Sequence, residues 1–79
     1  MIRVRYFAGA ADAAGRDELQ LDAASTVGAL KQHLAESHGA EFAGVLGRCS
    51  LMVNGSRLGD DAQIPDAATV DVLPPFAGG

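Results

Sequence analysis

At 79 residues, the chain has room for one domain around one modest core and none for separate catalytic and substrate domains. Apolar residues make up 48% of it, yet 15 of them are alanine, and Leu, Ile, Val and Phe together number only 19, so a small fold with little stability to spare is expected. Six basic against ten acidic side chains give a net charge of -4, which argues against nucleic acid as a partner, since phosphate-backbone binding needs a clustered basic surface.

The lone Cys49 cannot close an internal disulfide, and with the widely spaced His33 and His38 it assembles no zinc set. A reducing compartment fits this usage. Charges inside the opening stretch Ile2-Arg3-Val4-Arg5-Tyr6-Phe7 speak against a signal peptide or a membrane span. The expectation is a cytoplasmic protein with no membrane partner.

Ile2 to Ala8 reads as a strand, because Ile2, Val4 and Tyr6 alternate with Arg3 and Arg5. Phe7 breaks the alternation, which marks either a central strand or an aromatic kept for a partner. Gly9 to Gly15 is small and Ala-rich and suits a short turn of helix. Glu18 to Leu21 follows as a second strand, with Leu19 and Leu21 toward the core and Glu18 and Gln20 toward water. These two strands would form an antiparallel hairpin with a long loop. Thr26 is placed to cap a helix in which Val27, Leu30 and Leu34 recur at helical spacing to about Ser37 or His38, and Gly39 suits a left-handed C-cap. Glu41 to Arg48 carries Phe42, Val45 and Leu46 in a short irregular or helical piece. Ser50 to Asn54 is a third strand, turned by Asn54-Gly55 toward a brief return at Arg57-Leu58. Asp60 to Ala68 is turn-like, with Ile64 as its single anchor and Pro65 barring a regular continuation. Thr69 to Leu73 is the last strand, with Val70 and Val72 on one face.

One amphipathic helix can cover only one face of a small sheet. The order ββαβ(β)β therefore predicts an α+β fold of the β-grasp type, a small mixed sheet curved around one main helix, with residues 1–79 as a single domain. If the first and last strands are central and parallel, the tail leaves from the middle of the sheet.

That tail reads Pro74-Pro75-Phe76-Ala77-Gly78-Gly79. The prolines stop the strand and favour an extended exit. Phe76 is the one large anchor before a segment almost free of side-chain bulk, which suits entry into a narrow cleft of another protein. Residues 74–79 are expected to form a flexible, functional C-terminal tail.

Together with the opening Ile2-Arg3-Val4-Arg5-Tyr6-Phe7-Ala8, the helix after Thr26 and the Val53-Asn54-Gly55 turn, this tail resembles the family of molybdopterin synthase small subunits, sulfur carriers with the ubiquitin-like β-grasp fold. The resemblance covers essentially the whole chain. A double-glycine end is shared with other sulfur carriers and with ubiquitin, whereas the Pro-Pro-aromatic-Ala-Gly-Gly ending and the Tyr-Phe-Ala opening select this family. The resemblance implies that the Gly79 carboxylate is adenylated by a ubiquitin-activating-like adenylyltransferase using ATP and converted to a thiocarboxylate with sulfur from a sulfur-donating enzyme. The tail then enters the large synthase subunit, which binds the pterin precursor, and two carriers supply the two dithiolene sulfurs of molybdopterin. Two small and two large chains are implied. Gly78 and Ala77 would give access to the reacting end, and Phe76, Pro75, Phe7 and Arg57 would meet the partner. The chain would bind no cofactor or metal and would not turn over alone. Other readings are sulfur delivery for thiamine thiazole or amino-acid biosynthesis, a protein tag, and a non-covalent β-grasp interaction module.

Other residues invite blander readings. His33 suits a surface role, His38 suits a helix end where a protonated ring is favoured, and Cys49 reads as a structural thiol without a base beside it. Asp60, Asp61 and Asp66 read as a solvated acidic loop. No phosphate-binding glycine motif is present, so ATP belongs to the activating enzyme. Arg3, Arg5, Arg48 and Arg57 are candidates for partner contacts.

Overall fold

Alternation decides the first strand. Ile2, Val4 and Tyr6 of β1 (Ile2–Tyr6) are buried while Arg3 and Arg5 are exposed, so one face of this strand is apolar and the other charged. The computed structural model describes residues 1–22 and 25–75. The strand is shorter than the expected Ile2 to Ala8, because Phe7 becomes the N-cap of α1 (Ala8–Ala14) and Ala8 takes a φ of 49°, outside any strand geometry. Gly15, at φ 73°, closes that helix with its N–H on the Ala11 carbonyl, a left-handed position that suits a residue without Cβ.

β2 (Glu18–Leu21) pairs antiparallel with β1, Val4 opposite Leu19. The main helix, α2 (Val27–His38), starts as expected: Thr26 Oγ1 accepts from the Ala29 N–H at 3.1 Å. Two further orphan amides are met by the loop before the last strand, Val27 N–H on the Ala62 carbonyl at 3.0 Å and Gly28 N–H on that of Asp60 at 2.9 Å. Val27, Leu30 and Leu34 are wholly buried.

At Gly39 the expectation needs correcting. Its φ of 92° and ψ of 178° are not the left-handed helical cap but an extended positive-φ conformation that is essentially reserved for glycine, and this sharp turn starts α3 (Ala40–Leu46) immediately. The piece expected to be irregular or helical is thus a seven-residue helix, and its Phe42 is the largest wholly buried side chain.

β3 (Ser50–Val53) turns through Asn54 and Gly55, at φ 50° and 85°, into the two-residue β4 (Ser56–Arg57). Both central residues have positive φ, the geometry that matches the twist of a two-residue hairpin. Ile64 anchors the following loop, and Ala68 is buried beside the last strand as well. β5 (Thr69–Leu73) lies between β1, to which it is parallel, and β3, to which it is antiparallel. The sheet order is β2-β1-β5-β3-β4, the β-grasp arrangement with the helices over one face. The core joins Ala10 of α1, the buried residues of α2 and α3, and the inward positions of the strands. Among the described residues no helix is long and apolar enough to cross a membrane.

Candidate functional site

The expected reacting end, Gly79, and its neighbours Gly78, Ala77 and Phe76 lie outside the described residues. What the structure places is the base from which they extend. β5 runs up the middle of the sheet and ends at Leu73, opposite Ser50 on one side. On the other side the Phe7 N–H donates to the Val72 carbonyl at 3.3 Å. Pro74 is half-buried and Pro75 exposed. The tail therefore starts at the point where β1 turns away into α1, beside Phe7.

The register defines the uncovered face at this end. Glu18, Arg5, Asp71, Met52 and Arg57 form one row across the five strands. Their side chains share the face opposite the core, because their neighbours Tyr6, Val70, Val72 and Val53 are the buried ones. Phe7 follows Arg5 on this face and is 38% exposed; with Met1 it is one of two exposed large apolar side chains among the described residues. Of the expected partner contacts, Phe7 and Pro75 thus stand at the tail exit. Arg57 shares their face but lies two strands away from β1's neighbour β5, on the sheet's edge.

Two ion pairs order the charges of this face. Arg3 Nε meets Glu18 Oε1 at 2.7 Å. Arg5 donates twice to Asp71, Nε to Oδ1 at 2.7 Å and Nη2 to Oδ2 at 3.0 Å, and its Cζ lies 5.6 Å from the Phe7 ring centroid. Donating to the Asp71 carboxylate pushes the Arg5 guanidinium above its ordinary value. Asp71 is a residue that sequence reasoning passed over. Its sole signal was an acidic side chain between Val70 and Val72, and only the parallel β1–β5 register shows that it faces Arg5.

Other candidates fall away from the tail. Cys49 lines a cleft of about 400 Å³ with Lys31, Arg57 and Asp60. Its thiol donates to the Val45 carbonyl at 3.2 Å, and burial pushes it up, which makes it a weak nucleophile. Asp60 pairs with Lys31 at 2.7 Å. Among the described residues no three His, Cys, Asp or Glu side chains come together as a metal site. His38 does not serve as a charged cap: burial, Arg16 and His33 lower it, and Nε2 stands 2.7 Å from the Tyr6 hydroxyl.

The sequence model of the ThiS family matches residues 4–79. The chain belongs to the ThiS family. Its fold is shared with solved structures of ubiquitin-like sulfur carriers and modifiers. Small archaeal modifier protein 1 of Haloferax volcanii superposes with a TM-score of 0.79 at 23% identity, covering 99% of this chain and 98% of its own. A Pyrococcus furiosus protein assigned as molybdopterin converting factor subunit 1 gives 0.73 at 27% identity, covering 95% and 97%. Subunit 1 or 2 of that factor from Helicobacter pylori, solved as a complex of the two, gives 0.74 at 22% identity, covering 99% and 97%. No protein of curated function matches the chain in sequence.

Proposed function

We propose that this ThiS-family chain is the sulfur carrier of a molybdopterin synthase. Its Gly79 carboxylate would be adenylated and then converted to the thiocarboxylate that supplies dithiolene sulfur to a cyclic pyranopterin precursor. The observation that carries the reading is the placement of the tail's base: β5 is held on both sides by β1 and β3 and delivers Pro74 and Pro75 beside an exposed Phe7. A rigid central strand feeding a thin, proline-stiffened segment suits presentation of a terminal group deep in a partner. A carboxylate is a poor electrophile until adenylation gives it a leaving group, and the resulting thiocarboxylate sulfur is a competent nucleophile. Neither step asks for a base on this chain, which fits a face built of ion pairs around an aromatic.

The partners in this reading are a ubiquitin-activating-like adenylyltransferase that holds ATP, a sulfur-donating enzyme, and a large synthase subunit that holds the pterin, two small chains with two large, in the cytoplasm. The chain itself holds no cofactor. Phe76, Pro75 and Phe7 would anchor the docked tail, with Arg57 at the rim. The H. pylori complex of subunits 1 and 2 and the P. furiosus likeness support the choice of a molybdopterin pathway.

The test is reconstitution. Purified chain, activating enzyme, ATP and sulfur source should yield a species in which sulfur replaces one terminal oxygen, and adding the large subunit and precursor should yield dithiolene. The likeness to small archaeal modifier protein 1 favours a second reading, a protein tag. Intact-mass analysis of chain recovered from its own cells separates the two: the carrier appears with the sulfur exchange, the tag as covalent protein adducts.

A further inference from the structure

An aromatic ring exposed on a small domain needs a reason to stay in place. Phe7 is 38% exposed, and the Arg5 guanidinium lies over its ring, 5.6 Å from the centroid. That guanidinium is itself fixed by two hydrogen bonds to Asp71, at 2.7 and 3.0 Å. Paired bonds set the plane of the guanidinium as well as its position. Glu18, the other cross-strand neighbour of Arg5, is engaged by Arg3 at 2.7 Å, which leaves Arg5 to Asp71. Both side chains of the Arg5–Asp71 pair reach solvent, at 46% and 21% exposure, so screening keeps its contribution to folding small. Its main consequence is geometric: a surface ring already held in one rotamer loses less freedom when a partner covers it.

We infer that Arg5, locked by Asp71, is a positioning residue that holds the Phe7 ring ready for docking of the enzyme that activates the tail, and that it acts through Phe7 rather than by touching that enzyme. The identity of the docking enzyme rests on the carrier reading; the constraint on the ring does not.

The experiment is a double-mutant cycle with two readouts. Arg5→Gln removes the charged fork, Phe7→Ala removes the ring, and the double variant closes the cycle. Side-chain NMR relaxation and χ1 couplings of Phe7 in the isolated chain should show one ordered rotamer in the parent and averaging in Arg5→Gln, with Arg5→Lys failing to restore order. In ATP-dependent adenylation, followed by pyrophosphate exchange, Arg5→Gln should raise KM about three- to fivefold with kcat unchanged. Phe7→Ala should raise KM further, and the double variant should match Phe7→Ala alone. Equal ring order in the parent and Arg5→Gln overturns the inference. Additive losses also overturn it, since they place Arg5 in direct contact with the enzyme. If the parent chain is not adenylated at all, the carrier reading fails, and the NMR comparison still decides whether Arg5 holds Phe7.

Discussion

The Tyr6 hydroxyl and Nε2 of His38 stand 2.7 Å apart, a hydrogen bond that ties β1 to the last residue of α2. Both rings also meet Phe42 edge to face, at centroid separations of 5.6 and 4.9 Å. Burial first, then Arg16 and His33, holds His38 below its ordinary 6.5, which favours the neutral ring in its hydrogen bond with the Tyr6 hydroxyl. The lowered value means that the stability linked to keeping this half-buried ring neutral is present above pH 6.5 and is lost as pH falls through the folded value of His38. Urea midpoints measured between pH 7.5 and 5 should fall on acidification, and His38→Gln should flatten the slope just below 6.5. An unaltered slope in that variant would assign the acid sensitivity to other groups.

Burial of the Tyr6 phenol sets an alkaline limit. Burial pushes the Tyr6 phenol from 10.0 up to about 12, so its contribution is complete below pH 10 and is lost as pH rises through the folded value. Tyr6→Phe should remove this alkaline dependence and cost about 1 kcal/mol at neutral pH through the lost hydrogen bond. Absorbance titration of the phenolate together with urea unfolding measures both effects.

Asn54 has two tasks in the β3–β4 turn. It adopts a φ of 50°, and it clasps Thr69 twice, its N–H on the Thr69 carbonyl at 2.8 Å and its Oδ1 accepting from the Thr69 N–H at 2.9 Å. Asn54→Gly keeps the turn and loses the side-chain bond, and it should cost about 1 kcal/mol. Asn54→Ala loses the bond and strains the backbone, and it should cost about 2 kcal/mol. Equal unfolding midpoints for the two variants would show that backbone strain contributes nothing here.

Phe76 is the proposed anchor of the inserted tail. Its replacement by Ala should weaken association with the large subunit by about 1 to 3 kcal/mol. Calorimetric titration measures the affinity, and urea unfolding of the isolated chain should show its stability changing far less. Undiminished affinity would remove Phe76 from the interface.

Much of the scaffold is written in local pattern. Thr26 marks the start of α2, the Val27, Leu30 and Leu34 spacing marks its buried side, and Asn54-Gly55 marks the hairpin turn. These signals are short-range, and the structure has them where the pattern puts them. What escaped depends on contacts between segments far apart in the chain. His38 looked like a charged cap because its own helix end favours a cation, while its actual partners come from β1 and α3. Asp71 looked like a polar break in a strand until the parallel register set it against Arg5. β1 was read two residues too long because nothing local in Phe7-Ala8 signals the switch to helix that the positive φ of Ala8 makes. The tail residues of the proposed chemistry, Phe76 to Gly79, were singled out by their setting after the last strand and by the family resemblance, and they lie outside the described residues.

The central claim is that the Gly79 carboxylate carries the sulfur, and its most direct test compares the parent chain with one lacking Gly79. Each is incubated with the cognate activating enzyme, ATP and sulfur source, and the mass of the C-terminal peptide is determined. The deletion moves the carboxylate one residue back and leaves every residue of the described core in place, so both chains should fold alike. The account predicts exchange of one terminal oxygen for sulfur in the parent and none in the shortened chain. Equal sulfur loading of both chains would contradict it.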